Sequence, residues 1–268
     1  MAVNTLPLEG AGAAPPRGTP LLECRGICKR FGAVEALVGV DFEVYAGEVV
    51  ALVGDNGAGK STVIKAIAGT QPADRGSYRF DGQEVSIRNP SDANRLGIET
   101  VYQDLALCDN LDTVANLYLG REIAKRRRAP AWMRRLSEPD MEEHAAARLQ
   151  DLQVTTIESL RDPVSSLSGG QRQAIAVARA TLWDAKLLIL DEPTAALGVS
   201  QTAQVLELIR RLREQGLGIV VVTHNIDVVF EVADRIVVLY MGRRSATFDQ
   251  RTTTPRDVVS AIVGLDAA

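Results

Sequence analysis

A glycine-rich segment at residues 54–61 could cradle phosphate groups, because its sequence GDNGAGKS matches the pattern G-x-x-x-x-G-K-[ST] in full. Glycines let the backbone wrap closely around phosphates, and N–H groups at a helix start supply positive potential. We expect Lys60 to reach the β- and γ-phosphates, Ser61 to offer its hydroxyl to Mg²⁺, and Thr62 to support the α-phosphate. The residues expected to contact the phosphates are Gly54, Asp55, Asn56, Gly57, Ala58, Gly59, Lys60, Ser61 and Thr62.

Two adjacent carboxylates, Asp191 and Glu192, follow the apolar run at 186–190. Ligand sites in open α/β sheets lie at the carboxyl ends of strands. We expect Asp191 to bind Mg²⁺ through water, since this cation keeps several waters and takes few carboxylates. Glu192 would position and polarise an attacking water. Two such acids can also be only a solvated turn, but the segment at 54–61 favours the catalytic interpretation.

His224 closes the apolar strand predicted at 218–223, so its side chain should emerge at the same edge as the two acids. A lone histidine at a strand end is more often structural than catalytic. Here we favour contact with the γ-phosphate and with Glu192. His144 lies in a charged helical segment and is interpreted as an uninvolved surface residue.

A second helix start that could bind an anion lies at residues 167–171, which read LSGGQ. Ser168 is a good candidate for the N-cap of the amphipathic helix that follows. Gly169 and Gly170 allow close backbone approach to an anion at that helix start. By composition alone the segment could be a plain capped helix.

The order of these motifs resembles the ABC transporter ATPase family over about residues 21–245. LSGGQ ahead of LLILDEP is rarely met outside that family. By resemblance, Gln103 in VYQD approaches Mg²⁺ and acts as a hinge, Phe31 in KRFG stacks on adenine, and His224 is the switch histidine. The residues so implied are Glu192, His224 and Gln103 for catalysis, Ser61, Gln103 and Asp191 for the metal, and Phe31, Ser168, Gly169, Gly170 and Gln171 for the nucleotide.

The resemblance implies an α/β fold of the P-loop NTPase (RecA-like) type. Its core is a mostly parallel sheet, accompanied by an antiparallel β subdomain and an inserted α-helical subdomain. The expected organisation is a disordered leader at 1–20, an ATP-binding domain at 21–245 with its core at 21–103 and 184–245 and its helical subdomain at 104–183, and a C-terminal helix and tail at 246–268.

The resemblance also implies a head-to-tail dimer that binds ATP and Mg²⁺ between its subunits. Ser168 and Gly170 of one subunit would meet the γ-phosphate held by the other, so a monomer should bind ATP yet hydrolyse it poorly. The expected partners are a second ATP-binding subunit, most simply a second copy, integral membrane permease subunits and, indirectly, an extracytoplasmic solute-binding protein. The chain would lie peripherally at the cytoplasmic face of the inner membrane.

Three short sequence motifs favour a sugar as the solute. AALGV at 195–199, VYQDLAL at 101–107 and DNL at 109–111 look like the ATPases of bacterial monosaccharide importers of the ribose, xylose and fructose type. Gly198 departs from the aspartate that most family members carry there, which puts the usual contact across the dimer in doubt. A nucleoside or another small solute stays open, because the solute never touches this subunit. A soluble ABC protein acting on nucleic acid or ribosomes is a further alternative, although no basic linker or coiled-coil insertion is visible.

The elements that would position these residues follow from the hydrophobic pattern. Short β-branched runs alternate with helical patterns over about 37–102 and 186–244, which is typical of a parallel sheet with crossover helices. Several strands are continuously apolar, which indicates burial on both faces. The strands predicted in this way are 49–53, 187–190, 219–222 and 236–239, and the helices are 60–68, 141–152 and 171–182.

Bulk composition restricts the class of protein. The chain has 268 residues, 46% of them hydrophobic, and a formal net charge of −4, so it has a real core and no global positive field that would attract nucleic acid. Its cysteines Cys24, Cys28 and Cys108 lack metal-site spacing and are expected to be reduced thiols in an intracellular protein. A basic cluster at 125–128, with Arg134 and Arg135, is either a solvated helix end or a surface facing acidic lipid.

Overall fold

The computed structural model describes residues 18–125, 136–154, 156–157 and 159–265. Parts of the sequence predictions fall outside these ranges: most of the leader, residues 126–135, 155 and 158 of the helical subdomain together with the basic cluster apart from Lys125, and the end of the tail. Among the described residues, no helix combines the length and the apolar character that a membrane crossing requires.

Strands and helices alternate along the described chain. The strands are β1 (Leu22–Phe31), β2 (Val34–Val44), β3 (Val49–Gly54), β4 (Arg75–Phe80), β5 (Gln83–Val85), β6 (Ile98–Val101), β7 (Leu187–Asp191), β8 (Gly218–Val222), β9 (Arg235–Tyr240) and β10 (Arg243–Asp249). The helices are α1 (Lys60–Ile67), α2 (Pro90–Leu96), α3 (Thr113–Tyr118), α4 (Glu138–Asp151), α5 (Gly169–Thr181), α6 (Val199–Glu214), α7 (Ile226–Val232) and α8 (Pro255–Ile262).

A four-stranded antiparallel sheet has the order β2-β1-β4-β5. Two residues join β1 to β2, and two join β4 to β5, where Asp81 and Gly82 have positive φ angles of 53° and 75°. Connections this short allow only antiparallel neighbours, because parallel strands need a crossover of about a dozen residues or more. The expectation of one parallel arrangement over 37–102 is therefore wrong for β2, β4 and β5, whereas the antiparallel subdomain implied by the resemblance is present.

A six-stranded core sheet has the order β10-β9-β3-β8-β7-β6. All its neighbours are parallel except β10, which pairs antiparallel with β9. The strands predicted at 49–53, 187–190, 219–222 and 236–239 are confirmed, each extended by one or two residues.

The core sheet is buried on both faces. In β7, Leu187 and Ile189 join a hydrophobic cluster with the antiparallel sheet and α1, while Leu188 and Leu190 join a cluster with α3 to α6. Alternation along the strand thus fastens one layer to each face. Full burial of such a side chain contributes about 1.5–3 kcal/mol, which explains why these strands read as continuously apolar.

Where the structure describes the stretch between β6 and β7, it is occupied by helices α3, α4 and α5, as predicted. The helices predicted at 141–152 and 171–182 are α4 and α5, each starting two or three residues earlier. The predicted end of the ATP-binding domain at 245 is wrong, because it cuts through β10, a strand of the core sheet. The closing helix is confined to α8. The hydrophobic pattern missed β10 because this edge strand, RRSATFD, is exposed or half-buried along its whole length.

Candidate functional site

The carboxyl ends of the parallel strands gather the predicted residues at one edge of the core sheet. β3 runs into the phosphate-binding loop (P-loop, residues 54–61), β7 ends at Asp191, and β8 is followed by Thr223 and His224. Asp191 lies directly opposite Val222 in the sheet register. β6 flanks β7 on its other side, and Gln103 follows shortly after its end. The fold therefore brings residues that are distant in sequence to one place.

Two glycines let bare backbone form the P-loop. Gly54 has φ 151°, and a Cβ atom there would lie 2.4 Å from the Leu239 carbonyl oxygen. Gly59 caps α1 with φ 105°, and a Cβ atom there would lie 2.9 Å from the Ala36 carbonyl oxygen. Since both obstacles are backbone atoms, neither position accepts a side chain without displacing the loop.

Lys60 folds back over the P-loop. Its ammonium group donates to the carbonyl oxygens of Gly54 at 2.7 Å and Asp55 at 3.0 Å. Ala58 faces inward, and its N–H group donates to the Asp55 carbonyl oxygen at 3.1 Å, while Thr62 is half-buried. The remaining P-loop residues that reach solvent are Asp55, Asn56, Gly57 and Ser61.

Asp191 is a half-buried carboxyl at the end of β7. Burial raises the pKa of Asp191, and the neighbouring Glu192 raises it further, while Lys65 and Lys60 act in the opposite direction. Its ionised form is thus poorly solvated and close to a second acid. A cation placed against it would relieve both costs.

Glu192 adopts a left-handed backbone conformation, with φ 51°. Such conformations of non-glycine residues cost about 1–3 kcal/mol and cluster at functional sites. The Glu192 N–H group donates to the Val222 carbonyl oxygen at 2.8 Å. One carboxylate oxygen accepts from the Thr223 hydroxyl at 3.1 Å, and the other lies 2.8 Å from His224 Nδ1. The acid and the histidine are therefore in direct contact.

Thr223 belongs to this group of side chains, although sequence reasoning missed it. It is fully buried, whereas His224 beside it is exposed. Its partner, Glu192, is 31 residues away along the chain. The only available signal was a hydroxyl residue directly before a histidine at a strand end, and that pattern alone does not specify a partner.

Gln103 and Phe31 lie at the margins of the site. Gln103 is exposed in the turn after β6, and among the described residues no hydrogen bond joins it to either acid. Phe31, at the end of β1, is 44% exposed, so part of its ring is free to stack on a flat ligand. The Lys29 ammonium lies 5.6 Å from the ring centroid and is fixed by Asp74 at 2.9 Å.

The LSGGQ segment forms the N-terminus of α5. The prediction of Ser168 as N-cap is confirmed: its hydroxyl accepts from the Gln171 N–H group at 3.3 Å, and the Gln171 amide oxygen accepts from the Ser168 N–H group at 2.8 Å. α5 packs against α3, α4, α6 and β6, whereas α1 packs against β2 and β3. Ser168 and the P-loop thus precede helices that pack in different hydrophobic clusters of the chain.

Gly198 lies beside this second helix start, where it caps α6. Its N–H group donates to the Gln201 side-chain oxygen at 3.2 Å. Gln201 also packs on Gly170, because a Cβ atom there would lie 3.1 Å from the Gln201 Cβ atom. The backbone of this turn is thus held by Gln201 without an aspartate at position 198.

The donors at this edge suit a magnesium–nucleotide complex. The Ser61 hydroxyl, the Gln103 amide and the Asp191 carboxylate carry oxygen atoms of the kind that Mg²⁺ prefers. The glycine backbone, the N-terminus of α1 and the Lys60 ammonium suit the phosphates of a nucleotide. Glu192 and His224 contact each other at the same edge, and a carboxylate beside an imidazole is an arrangement that could act as a general base.

Comparison with known proteins agrees with this geometry. Residues 37–195 match the family described as ABC transporter. The chain is 47% identical to a fructose import ATP-binding protein of Rhizobium meliloti, covering 91% of this chain and 94% of that protein. It is 50% identical to a xylose/arabinose import ATP-binding protein of Sulfolobus acidocaldarius, covering 83% and 86%. A ribose import ATP-binding protein of Rubrobacter xylanophilus is 42% identical, but the chain spans only 43% of its length.

Solved structures give the same fold. An ATP-binding cassette of an ABC transporter superposes with a TM-score of 0.77 at 25% identity, covering 91% of this chain and 99% of that one. A dimeric cassette in a post-hydrolysis state, bound to ADP and Pi, superposes with a TM-score of 0.69 at 25% identity, covering 87% and 100%. The predicted α/β P-loop fold and the family resemblance are therefore confirmed.

Proposed function

This chain belongs to the ABC transporter family, as an ATP-hydrolysing subunit, and on that premise we propose that it drives the uptake of a monosaccharide through a partner permease. The choice of solute rests on sequence similarity to two sugar importers. The chain is 47% identical to a fructose import ATP-binding protein over 91% of its length, and 50% identical to a xylose/arabinose import ATP-binding protein over 83%. The arrangement at the carboxyl edge of the core sheet supports the mechanism. Mg²⁺ is proposed as its cofactor beside ATP.

The P-loop and its neighbours would hold the nucleotide. Backbone N–H groups of the P-loop and the ammonium of Lys60 would face the phosphates, and Phe31 would stack on the adenine. Ser61, Gln103 and Asp191 would hold Mg²⁺, which would supply positive charge against the negative charge that develops on the phosphates. The raised pKa of Asp191 supports this role, because a cation there would offset a poorly solvated carboxylate.

Glu192 would orient and polarise the attacking water. Its carboxylate is a proton acceptor fixed on both oxygens, which suits a reaction that depends mainly on positioning and electrostatics. His224 is 75% exposed while it contacts this carboxylate, so its ring could reach a γ-phosphate without leaving Glu192. The pair would act as one unit.

A second subunit would complete each site. Ser168 and Gly170 at the start of α5 would present N–H groups to the γ-phosphate on the other chain. The packing of α5 and α1 in different hydrophobic clusters of the same chain supports this arrangement, and so does the dimeric cassette bound to ADP and Pi. A homodimer is the simplest form.

The remaining partners follow from the transporter role. We infer integral membrane permease subunits, contacted through the helical stretch at 104–183 and the turn at Gln103, and an extracytoplasmic solute-binding protein that acts through the permease. The chain would then be peripheral, at the cytoplasmic face of the inner membrane.

Glu192→Gln tests the mechanism. We expect ATP turnover to fall at least about 100-fold, because general-base assistance contributes 10²- to 10⁴-fold, while Mg²⁺–ATP affinity and dimer formation persist. Lys60→Ala serves as the contrasting variant and should lose nucleotide affinity. Unchanged turnover in Glu192→Gln would mean that another group handles the water.

Reconstitution with the cognate permease and solute-binding protein tests the solute. A monosaccharide should stimulate ATP hydrolysis in vesicles when it is supplied together with the binding protein. If a nucleoside stimulates hydrolysis and no monosaccharide does, the choice of sugar is wrong and the role as motor subunit stands.

A further inference from the structure

We propose that Thr223 is a positioning residue for ATP hydrolysis: its hydroxyl anchors one oxygen of Glu192, so that the other oxygen faces the attacking water and His224. The inference rests on the proposed role of Glu192. It adds a residue that no sequence motif marked.

The direction of the hydrogen bonds at Thr223 carries the argument. A hydroxyl has one proton to donate and can accept from others. The Thr223 oxygen accepts from the Asn225 N–H group at 3.1 Å, and it lies 3.1 Å from Glu192 Oε2. An ionised carboxylate can only accept, so the Thr223 proton must point to Glu192. Thr223 thus gives the carboxylate a donor that cannot turn elsewhere without losing a bond.

The two partners of Glu192 differ in their surroundings. Thr223 is 0% exposed, and the backbone on both sides of it is held, by β8 before it and by the cap of α7 at Asn225 after it. His224 is 75% exposed and contacts only Oε1. The buried partner therefore fixes the carboxylate, while the exposed partner is free to follow a ligand.

Glu192 needs such an anchor because its backbone is strained. A φ angle of 51° is unfavourable for a residue with a long side chain. Its N–H group is bonded to Val222, and its side chain is bonded to the next two residues of the same strand end. These contacts hold the backbone and the side chain of Glu192 against one rigid element, as preorganised catalysis requires.

Thr223→Val tests the proposal, because it removes the hydroxyl and keeps the volume. We expect kcat to fall about 10- to 100-fold, as for loss of a hydrogen bond to a charged group, with the Mg²⁺–ATP dissociation constant within about twofold. Thr223→Ser should restore most of kcat. Thr223→Ala also removes the hydroxyl and has a smaller side chain, so it replaces Thr223→Val if that variant does not fold. Circular dichroism and ATP binding show which of the two variants is folded, and its kcat tests the proposal.

Thr181→Val is the matched control. Thr181 is also buried, and its hydroxyl donates to the Val177 carbonyl oxygen at 2.9 Å within α5. Turnover in this variant should stay within about twofold of the original chain, since the bond is remote from the acid. A similar fall in Thr181→Val would show that any lost buried hydroxyl has this effect, and would overturn the proposal.

Three further outcomes overturn the inference in distinguishable ways. Wild-type kcat in a folded Thr223→Val chain, with Glu192→Gln inactive, removes Thr223 from the mechanism and leaves the proposed function intact. Wild-type turnover in Glu192→Gln removes the base itself, and with it the reason for an anchor. Failure of Thr223→Ser to restore turnover would show that any change of the side chain at this position slows hydrolysis, and the hydroxyl would no longer be the cause.

Discussion

Without a bound cation, the Asp191 carboxyl lowers the stability of the folded chain. Its pKa is raised by burial and by Glu192, so the folded chain disfavours the ionised carboxylate, which water would solvate better. Functional sites commonly keep such groups at the expense of stability. We expect Asp191→Asn to raise the free energy of unfolding by about 0.5–2 kcal/mol at neutral pH, while Mg²⁺-dependent turnover is lost.

The pH dependence of this gain has a definite sign. Because the folded pKa of Asp191 is raised, the folded chain binds more protons than the unfolded chain between the ordinary and the raised values, so stability falls as pH rises through that window. The advantage of Asp191→Asn should therefore be largest above the raised pKa and shrink below it. Urea unfolding with EDTA present measures it. A variant less stable than the original chain at neutral pH would contradict the argument.

Residues that sit in contiguous motifs could be predicted, and residues defined by contacts could not. The placement of Lys60 at a helix start, and of Asp191 and His224 at strand ends, could be predicted because each lies in a short motif next to an apolar strand. The role of Thr223 depends on a contact with Glu192 across two strands, and on where the hydroxyl proton points. Single-sequence patterns carry neither kind of information.

At the level of elements, helix α5 connects the LSGGQ segment with the turn that follows Gln103 in the same chain. Its N-terminus carries Ser168, and its last turn carries Arg179, whose guanidinium donates to the carbonyl oxygens of Ala106 at 2.7 Å and Leu105 at 2.8 Å. Leu105 and Ala106 follow Gln103 and both have positive φ angles, 57° and 46°. One side chain on α5 thus holds a strained turn beside the proposed metal ligand.

Arg179→Lys should loosen this turn. A lysine ammonium lacks the planar fork that reaches both carbonyl groups, so at least one hydrogen bond to a charged group is lost. We expect amide hydrogen exchange at Leu105 and Ala106 to become about tenfold faster, as local opening becomes easier. Exchange followed by mass spectrometry on peptides covering 102–108 measures the effect.

Arg256→Lys is the control for this experiment, because Arg256 is exposed on α8 and far along the chain from the turn. Exchange at residues 102–108 should be unchanged in that variant. Equal exchange in Arg179→Lys and in the original chain would show that the turn is held by its own backbone contacts, such as the bond from Leu105 N–H to the Tyr102 carbonyl oxygen at 2.9 Å.

The sequence could predict those elements whose burial produces a recognisable pattern of apolar residues. β7, β8 and β9 were found because both of their faces are covered. β10 was missed because it is an edge strand and is exposed or half-buried. The division of the strands between two sheets depends on the two-residue turns, and the apolar pattern contains no information on turn length. In each case, the missing information was the identity of the neighbour.

For the whole molecule, the two helix starts that we propose to face phosphates support sites shared between subunits. α1 begins at the P-loop on the core sheet, and α5 begins at Ser168 within the helical layer, packed against different elements. If each site combines Lys60 of one chain with Ser168 of the other, a chain damaged at one residue can be complemented by a chain damaged at the other. A site built within one chain cannot be rescued in this way.

Mixing Lys60→Ala with Ser168→Asp tests this arrangement. Aspartate is a good N-cap, so α5 should persist while the new charge repels a phosphate. Each variant alone should hydrolyse ATP at least about 100-fold more slowly. In a 1:1 mixture, half of the dimers carry one complete site, so about a quarter of wild-type turnover should return if the sites work independently. Co-purification of differently tagged chains confirms that the mixed dimer forms.

The reciprocal mixture separates the two arrangements. A chain carrying both Lys60→Ala and Ser168→Asp spoils both sites of any dimer that it forms with an unaltered chain, provided that the sites are shared. Turnover of a 1:1 mixture should then fall to about a quarter of that of unaltered chains alone, against about a half if each chain contains its own site. A value near one half, with mixed dimers present, would show that Ser168 does not serve the partner's nucleotide.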